Sequence, residues 1–258
     1  MGVLNITNDS FSDGGKFLEA DAAIKHAINM IADGADFIDI GGQSTRPGAD
    51  EVPQEEELRR VIPVIERLVK ETDLPISIDT YRSEVASASL AAGALIVNDV
   101  SGFNHDKNMM KVIAEHKASA IAMHMKGTPK DMQDDPQYDD VVKEVVAYFE
   151  DVIWRANVEN VNQIILDPGI GFGKNVEHNL TLLKHINELK RLDTPIMVGV
   201  SRKSMIGKIA GGEVNDRLEG TVALNTIAII NGVQIIRVHD VKAGVRTAKI
   251  VDEYKLMK

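Results

Sequence analysis

Ile76-Ser77-Ile78-Asp79 is a short apolar run that ends on a carboxylate, and the same construction recurs along the chain. Val3-Leu4-Asn5, Phe37-Ile38-Asp39 and Leu95-Ile96-Val97-Asn98 share it, as do Ala120-Ile121-Ala122-Met123-His124 and Ile164-Ile165-Leu166-Asp167. Ile196-Met197-Val198-Gly199, with Ser201 behind it, and Ile235-Ile236-Arg237-Val238-His239 bring the set to eight. Apolar runs separated by helical patterns read as buried parallel strands. Eight of them predict a closed (β/α)8 TIM barrel, whose reactive groups gather at the C-terminal ends of the strands. Two Asn, three Asp, two His and one Arg then share one rim, the first sign of an enzyme.

The segments between the runs carry helical periodicity. Ala20, Ile24, Ala27, Ile28 and Ile31 fall on one face. A second helix is predicted from Pro53, with Glu55, Glu56 and Glu57 in its first turn and Leu58, Val61, Ile62, Ile65 and Leu68 as its buried stripe. Val142, Val145, Val146, Phe149, Val152 and Ile153 mark what reads as the longest helix, between Asp139 and Asn160. Helices are also predicted over 83–92, 107–116, 176–192, 218–231 and 241–254. Strand and helix alternate to the end, so residues 1–258 are expected to form one α/β domain. Met1 stands at the edge of the first strand, where a barrel normally has a plug, so a chain trimmed at its start or a neighbouring subunit is expected.

Composition narrows the function. Hydrophobic residues make up 44% of the chain, and no apolar stretch is long enough to span a membrane. There is no cysteine, which excludes disulfides, thiolate catalysis and Cys-ligated metal; a reducing compartment such as the cytoplasm is compatible. A net charge of −10 argues against general nucleic-acid binding. An anionic small substrate stays open, because a few local cations override a distant acidic surface.

The most polar loops follow strand ends. Residues 7–15 (Thr-Asn-Asp-Ser-Phe-Ser-Asp-Gly-Gly) follow the first, and residues 41–48 (Gly-Gly-Gln-Ser-Thr-Arg-Pro-Gly) follow the second. Glycine allows close backbone approach, while the hydroxyls and Arg46 supply donors for an anion; the alternative is two solvated turns. Ser201-Arg202-Lys203-Ser204 sits behind strand seven, a barrel position often used for phosphate. Two cations between hydroxyls suit a phosphate or an aromatic carboxylate, whereas a plain helix start would set them against the dipole. Lys203 could equally serve as a Schiff-base lysine.

Arg237 and His239 alternate on strand eight and so face the same side. An inward Arg needs an anion, a π-face or an ion pair with the rim aspartates. Asp167-Pro168-Gly169-Ile170-Gly171-Phe172-Gly173 fits neither the Walker nor the dinucleotide spacing, but Asp167 can take two N–H donors from an amidine-like heterocycle. Ser201 lacks the GxSxG context of a hydrolase, His178 and His185 belong to a surface helix, and His124 has no metal-ligand cluster around it. Met123 and Phe172 read as pocket wall.

Taken in order, the stretches MGVLNITNDSFSDGG, GADFIDIGGQSTRPGA, ISIDTYR, IVNDVSG, ILDPGIGFGK, GVSRKS, RLEGT and IIRVHDV strongly resemble the dihydropteroate synthase family. They run from residue 1 to residue 241. Asn8 departs from the family's usual Pro, which implies a looser first loop, and the family normally has residues ahead of the first strand. The resemblance implies a TIM-barrel transferase of folate biosynthesis that condenses 7,8-dihydropterin-6-ylmethyl diphosphate with para-aminobenzoate. It implies that Asp79, Asn98 and Asp167 bind the pterin edge, that Lys203 bonds its carbonyl or ring nitrogen, and that Arg237 stacks on its face. Asn5, Thr45, Arg46 and His239 would hold the diphosphate, with Mg2+ bridging it to Asn5; Asp9, Phe11, Pro47 and Ser204 would form the aminobenzoate site, which sulfonamides would contest. Asp9, Asp79, Arg46 and Lys203 are the expected catalytic set, and a homodimer is the state the family suggests. A methyltetrahydrofolate–corrinoid barrel would share Asp79, Asn98 and Asp167 but has no need of Arg46, Lys203 and His239 around a diphosphate; a non-catalytic pterin-binding paralogue would not require the intact set.

Overall fold

The structure, a computed structural model, describes residues 1–6, 16–44, 51–128 and 131–257, with residues 16–19 described by backbone alone. The expectations for Asn8, Asp9, Phe11, Thr45, Arg46 and Pro47 lie outside the described residues. The elements run β1 (Gly2–Asn5), α1 (Lys16–Ala32), β2 (Ile38–Gly41), α2 (Gln54–Glu71), β3 (Ile76–Asp79) and α3 (Ser83–Ala91). They continue with β4 (Ile96–Asp99), α4 (Met109–Glu115), β5 (Ser119–Met123), α5 (Val141–Val158), β6 (Ile164–Asp167) and α6 (Val176–Lys184). The last are β7 (Met197–Val198), α7 (Ser204–Ala210), α8 (Leu218–Ile230), β8 (Ile235–Ile236) and α9 (Val241–Leu256).

β1 to β6 pair in chain order, all parallel, and β7 pairs with β8. Two isolated parallel bridges, Leu166 with Ile196 and Gly2 with Val238, join these pieces into a ring. At the second seam Val3 N–H donates to Val238 O (3.0 Å) and Val238 N–H to Met1 O (3.0 Å). The predicted barrel is therefore closed.

Alternation along each strand decides what faces in. Leu4, Ile38, Ile40, Ile76, Ile78, Val97, Ala120, Ala122 and Leu166 point outward into the core shared with the helices. Met1, Ile96, Ile121 and Met197, with Phe37, Ile165 and Ile235 against them, fill the lower interior. Above them the interior turns mostly polar: Asp39, Asn98, Asp167 and Arg237 come from even strands or the residue just past them, and Asn5 and Asp79, with the apolar Met123 and Gly199, from odd ones. Side chains from alternate strands form the layers of such barrels.

Several element boundaries differ from the sequence-based expectations. β2 runs on to Gly41, so Asp39 sits one layer below the rim instead of on it. α2 and α5 are equally long at 18 residues each. The helix expected over 176–192 breaks after Lys184 and tightens into a 3-10 turn over Ile186–Leu192. Glu57 does more than oppose a helix dipole: it is buried and pairs with Arg82 at 2.5 Å, tying α2 to the loop after β3.

Candidate active site

Arg237 is the hub of the polar interior. Its Nε donates to Asp39 Oδ2 at 2.6 Å and its Nη2 to Asp79 Oδ2 at 2.8 Å. The Asn98 amide donates to the same Asp39 oxygen at 3.1 Å. The ion pair open to an inward Arg is formed, with Asp79 and with Asp39 in the layer below it. Burial disfavours the guanidinium, but Asp39 and Asp79 outweigh it and hold the Arg237 pKa above its ordinary value.

The carboxylates respond in the opposite sense. Burial pushes Asp79 up to about 7, with Arg237 opposing and Asp39, Glu57 and Asp99 adding repulsion. Burial also raises Asp167, against the pull of Lys203 and the Gly169 N–H that donates to its Oδ1 at 2.8 Å. Asp79 Oδ1 and Asp39 Oδ1 are buried without a hydrogen-bond partner among the described residues. A buried acceptor left unpaired costs about 1–3 kcal/mol, so the Asp79 oxygen, in the layer above Asp39, is open to a ligand donor.

Lys203 lies across the mouth. Its Nζ donates to Ile170 O and stands 4.6 Å from the centroid of the Phe172 ring. Burial lowers its pKa to about 8 while Asp167 resists. Met123 forms a small apolar wall with Tyr81 and Val100, and Phe172 packs on it. His239 sits at the end of β8, where both its backbone N–H (3.2 Å) and its Nδ1 (3.1 Å) meet Ser201 Oγ. Asn5 ends β1 half-buried, its Oδ1 above Gly41. Ser204 opens α7 on the exposed side.

The structure thus brings together Asp79, Asn98, Met123, Asp167, Phe172, Lys203 and Arg237. It turns Arg202 away from them. That guanidinium makes a two-pronged pair with Asp240 (2.8 and 2.7 Å) and braces the loop behind β7, so one cation of the expected phosphate pair serves the scaffold.

Three residues outside the expected set of site residues enter here. Asp39 anchors Arg237 and Asn98 from below, and Ser201 orients His239. Lys174 is fully enclosed, with its ammonium against His124 Nδ1 at 2.9 Å. In the sequence Asp39 reads as a rim carboxylate, whereas Lys174 appears only as the last residue of the ILDPGIGFGK stretch, with no part of its own.

The family model for pterin-binding enzymes matches residues 1–239. A dihydropteroate synthase of a Synechocystis species is 50% identical over 98% of this chain and 88% of its own length. The chain belongs to the dihydropteroate synthases. Its enzymatic class is that of a transferase. Among solved structures, the Yersinia pestis dihydropteroate synthase in a sulfonamide drug complex superposes with a TM-score of 0.94 at 44% identity, covering 100% of this chain and 94% of that one. The Xanthomonas albilineans dihydropteroate synthase with 4-aminobenzoic acid gives a TM-score of 0.94 at 42% identity, covering 100% and 93%.

Proposed function

We propose that this barrel condenses 7,8-dihydropterin-6-ylmethyl diphosphate with para-aminobenzoate, giving 7,8-dihydropteroate and diphosphate, through the residues at its mouth. The observation that carries the assignment is the buried Oδ1 of Asp79, without a partner among the described residues, in the same interior as Asn98 and Asp167. A pterin edge offers alternating N–H donors and a carbonyl, which the two carboxylates, the Asn98 amide and the Lys203 ammonium complement. Met123 and Phe172 wall the ring, and Arg237 lends its charge from the pterin's other side.

Asn5, Thr45, Arg46 and His239 hold the diphosphate, and Asp9, Phe11, Pro47 and Ser204 receive aminobenzoate. Among the described residues no cluster of three acidic or imidazole ligands could cage a metal. The single neutral oxygen of Asn5 at the end of β1 fits Mg2+, a hard cation that takes most of its ligands from phosphate and water. When bound, Mg2+ supplies charge neutralisation on the leaving diphosphate. Arg46 and His239 add to that neutralisation, and the ionised carboxylates of Asp79 and Asp9 favour the positive charge that develops on the pterin methylene. The neutral arylamine then attacks without a strong base.

Exposed Ile227 and Ile230 on α8, and Ile250 and Tyr254 on the adjoining α9, support a homodimer through this side. Among the described residues no helix is long and apolar enough to cross a membrane, and a chain without cysteine suits the cytoplasm. Diphosphate release with both substrates and Mg2+, absent when either substrate is withheld, is the expected result; release independent of aminobenzoate would overturn the proposal.

A further inference from the structure

Loop 168–173, between β6 and α6, is tied down at every carbonyl from Gly169 to Gly173. Lys203 takes Ile170 O, Gln133 Nε2 takes Gly171 O at 2.7 Å, and the Tyr138 hydroxyl takes Gly173 O at 2.8 Å. The remaining two fall to one ammonium. Lys174 Nζ reaches Gly169 O at 3.2 Å and Phe172 O at 3.0 Å, together with His124 O at 3.3 Å and His124 Nδ1 at 2.9 Å.

Three carbonyl dipoles and an imidazole lone pair converge on that point, and their negative ends repel unless a cation lies between them. The enclosure is complete, for Lys174 is 2% exposed. Loop and strand end are also in backbone contact: Gly169 has a φ of +67°, and a Cβ there would overlap the carbonyl oxygen of His124. Burial and the neighbouring Lys174 push His124 far down, to about 2, so its ring is neutral and free to accept. Its edge rests on Tyr148 at 4.8 Å between centroids.

We propose that Lys174 is a positioning residue of the pterin pocket: its enclosed ammonium locks loop 168–173 onto the end of β5 and so fixes Asp167, Phe172 and the carbonyl that holds Lys203. The inference rests on the assignment of Asp167, Phe172 and Lys203 to the pterin. Lys174 touches no substrate in this scheme; it acts through the loop. Burial lowers its pKa to about 7 against the pull of Asp167, with Lys203 and Lys126 adding repulsion, so the ammonium depends on its four acceptors.

The test is Lys174→Ala, which leaves an internal slot bounded by hydrogen-bond acceptors, measured with and without ethylammonium. The KM for the pterin diphosphate should rise at least tenfold, while the KM for aminobenzoate at saturating pterin changes less than twofold. Ethylammonium, but not tetramethylammonium, should restore part of the pterin affinity. If Lys174→Ala does not fold, Lys174→Met keeps the side-chain volume and should show the same KM split. A pterin KM within twofold of the parent would overturn the proposal. So would a loss of affinity that ethylammonium leaves untouched while thermal stability falls, since that pattern belongs to a packing residue. Asp167→Asn is the control: unchanged pterin affinity there would sink the pocket assignment itself, whereas loss there with none at Lys174 would sink only the positioning role.

Discussion

Replacing Asp39 by Asn tests whether the buried ring beneath the substrate tunes the residue above it. Asp39 accepts from Arg237 at 2.6 Å and from Asn98 at 3.1 Å, is fully buried, and touches the pterin nowhere in the proposed scheme. Breaking a buried ion pair outright costs about 3–5 kcal/mol. Arg237 keeps Asp79 as a partner at 2.8 Å, so the loss is closer to that of one charged hydrogen bond, roughly 1.5–3 kcal/mol. In a chain of this size about 1 kcal/mol moves Tm by roughly 2–4 °C, giving an expected drop of about 3–12 °C by calorimetry. The second readout is pH. Asp79 stands at about 7 partly because Asp39 repels its charge, and in the proposed scheme its ionised form is the stronger acceptor for a pterin N–H. Activity on the pterin diphosphate should therefore fall as pH drops through that value in the parent. In Asp39→Asn the repulsion is gone and Arg237 attends Asp79 alone, so the acid limb of kcat/KM should move to lower pH. An unmoved acid limb in a folded variant would refute the claim that this ring sets the ionisation of Asp79.

Arg46→Ala and His239→Ala should weaken binding of the pterin diphosphate far more than binding of the pterin alcohol; equal losses for both ligands, by titration calorimetry, would place these residues outside the diphosphate site. Aminobenzoate should bind measurably only when pterin and diphosphate are present, and sulfonamides should share that dependence; the motivation is the sequence of residues 7–15 and 41–48, rich in glycine and hydroxyls and carrying Arg46, which supplies donors for that anion. Tight aminobenzoate binding to the bare protein would contradict that order.

The barrel was legible because each strand ends where a polar residue interrupts an apolar run, and that signal survives without any knowledge of neighbours. Asp79, Asn98 and Asp167 stood out for the same reason, as strand-end polar groups with no apolar alternative. Asp39 shows the limit. Its run reads as ending at the carboxylate, but Ile40, fully buried, resumes the apolar pattern and carries the strand on to Gly41. Arg202 and Lys203 are neighbours with the same charge, yet one turns to Asp240 and the other to the mouth. Arg202 sits at a φ of +57°, and composition does not encode that reversal of direction. Lys174 was invisible because its partners are backbone carbonyls brought together only by folding.

The carbonyls of loop 168–173 have a bearing on which heterocycles the mouth can tell apart. Every oxygen from Gly169 to Gly173 already has a protein donor, so a ring resting above this loop competes with that donor for any backbone acceptor. Recognition of ring N–H groups then falls to side-chain carboxylates, and carboxylates titrate where amide carbonyls do not. A mimic whose edge presents acceptors in place of donors would face Asp79 and Asp167 as bare anions at alkaline pH. It would be tolerated better under acid conditions, when one of them carries a proton and can donate. In the proposed scheme, ligand selectivity at this mouth is an acid–base property of the barrel, adjustable from the layer beneath without altering any atom that touches the ligand.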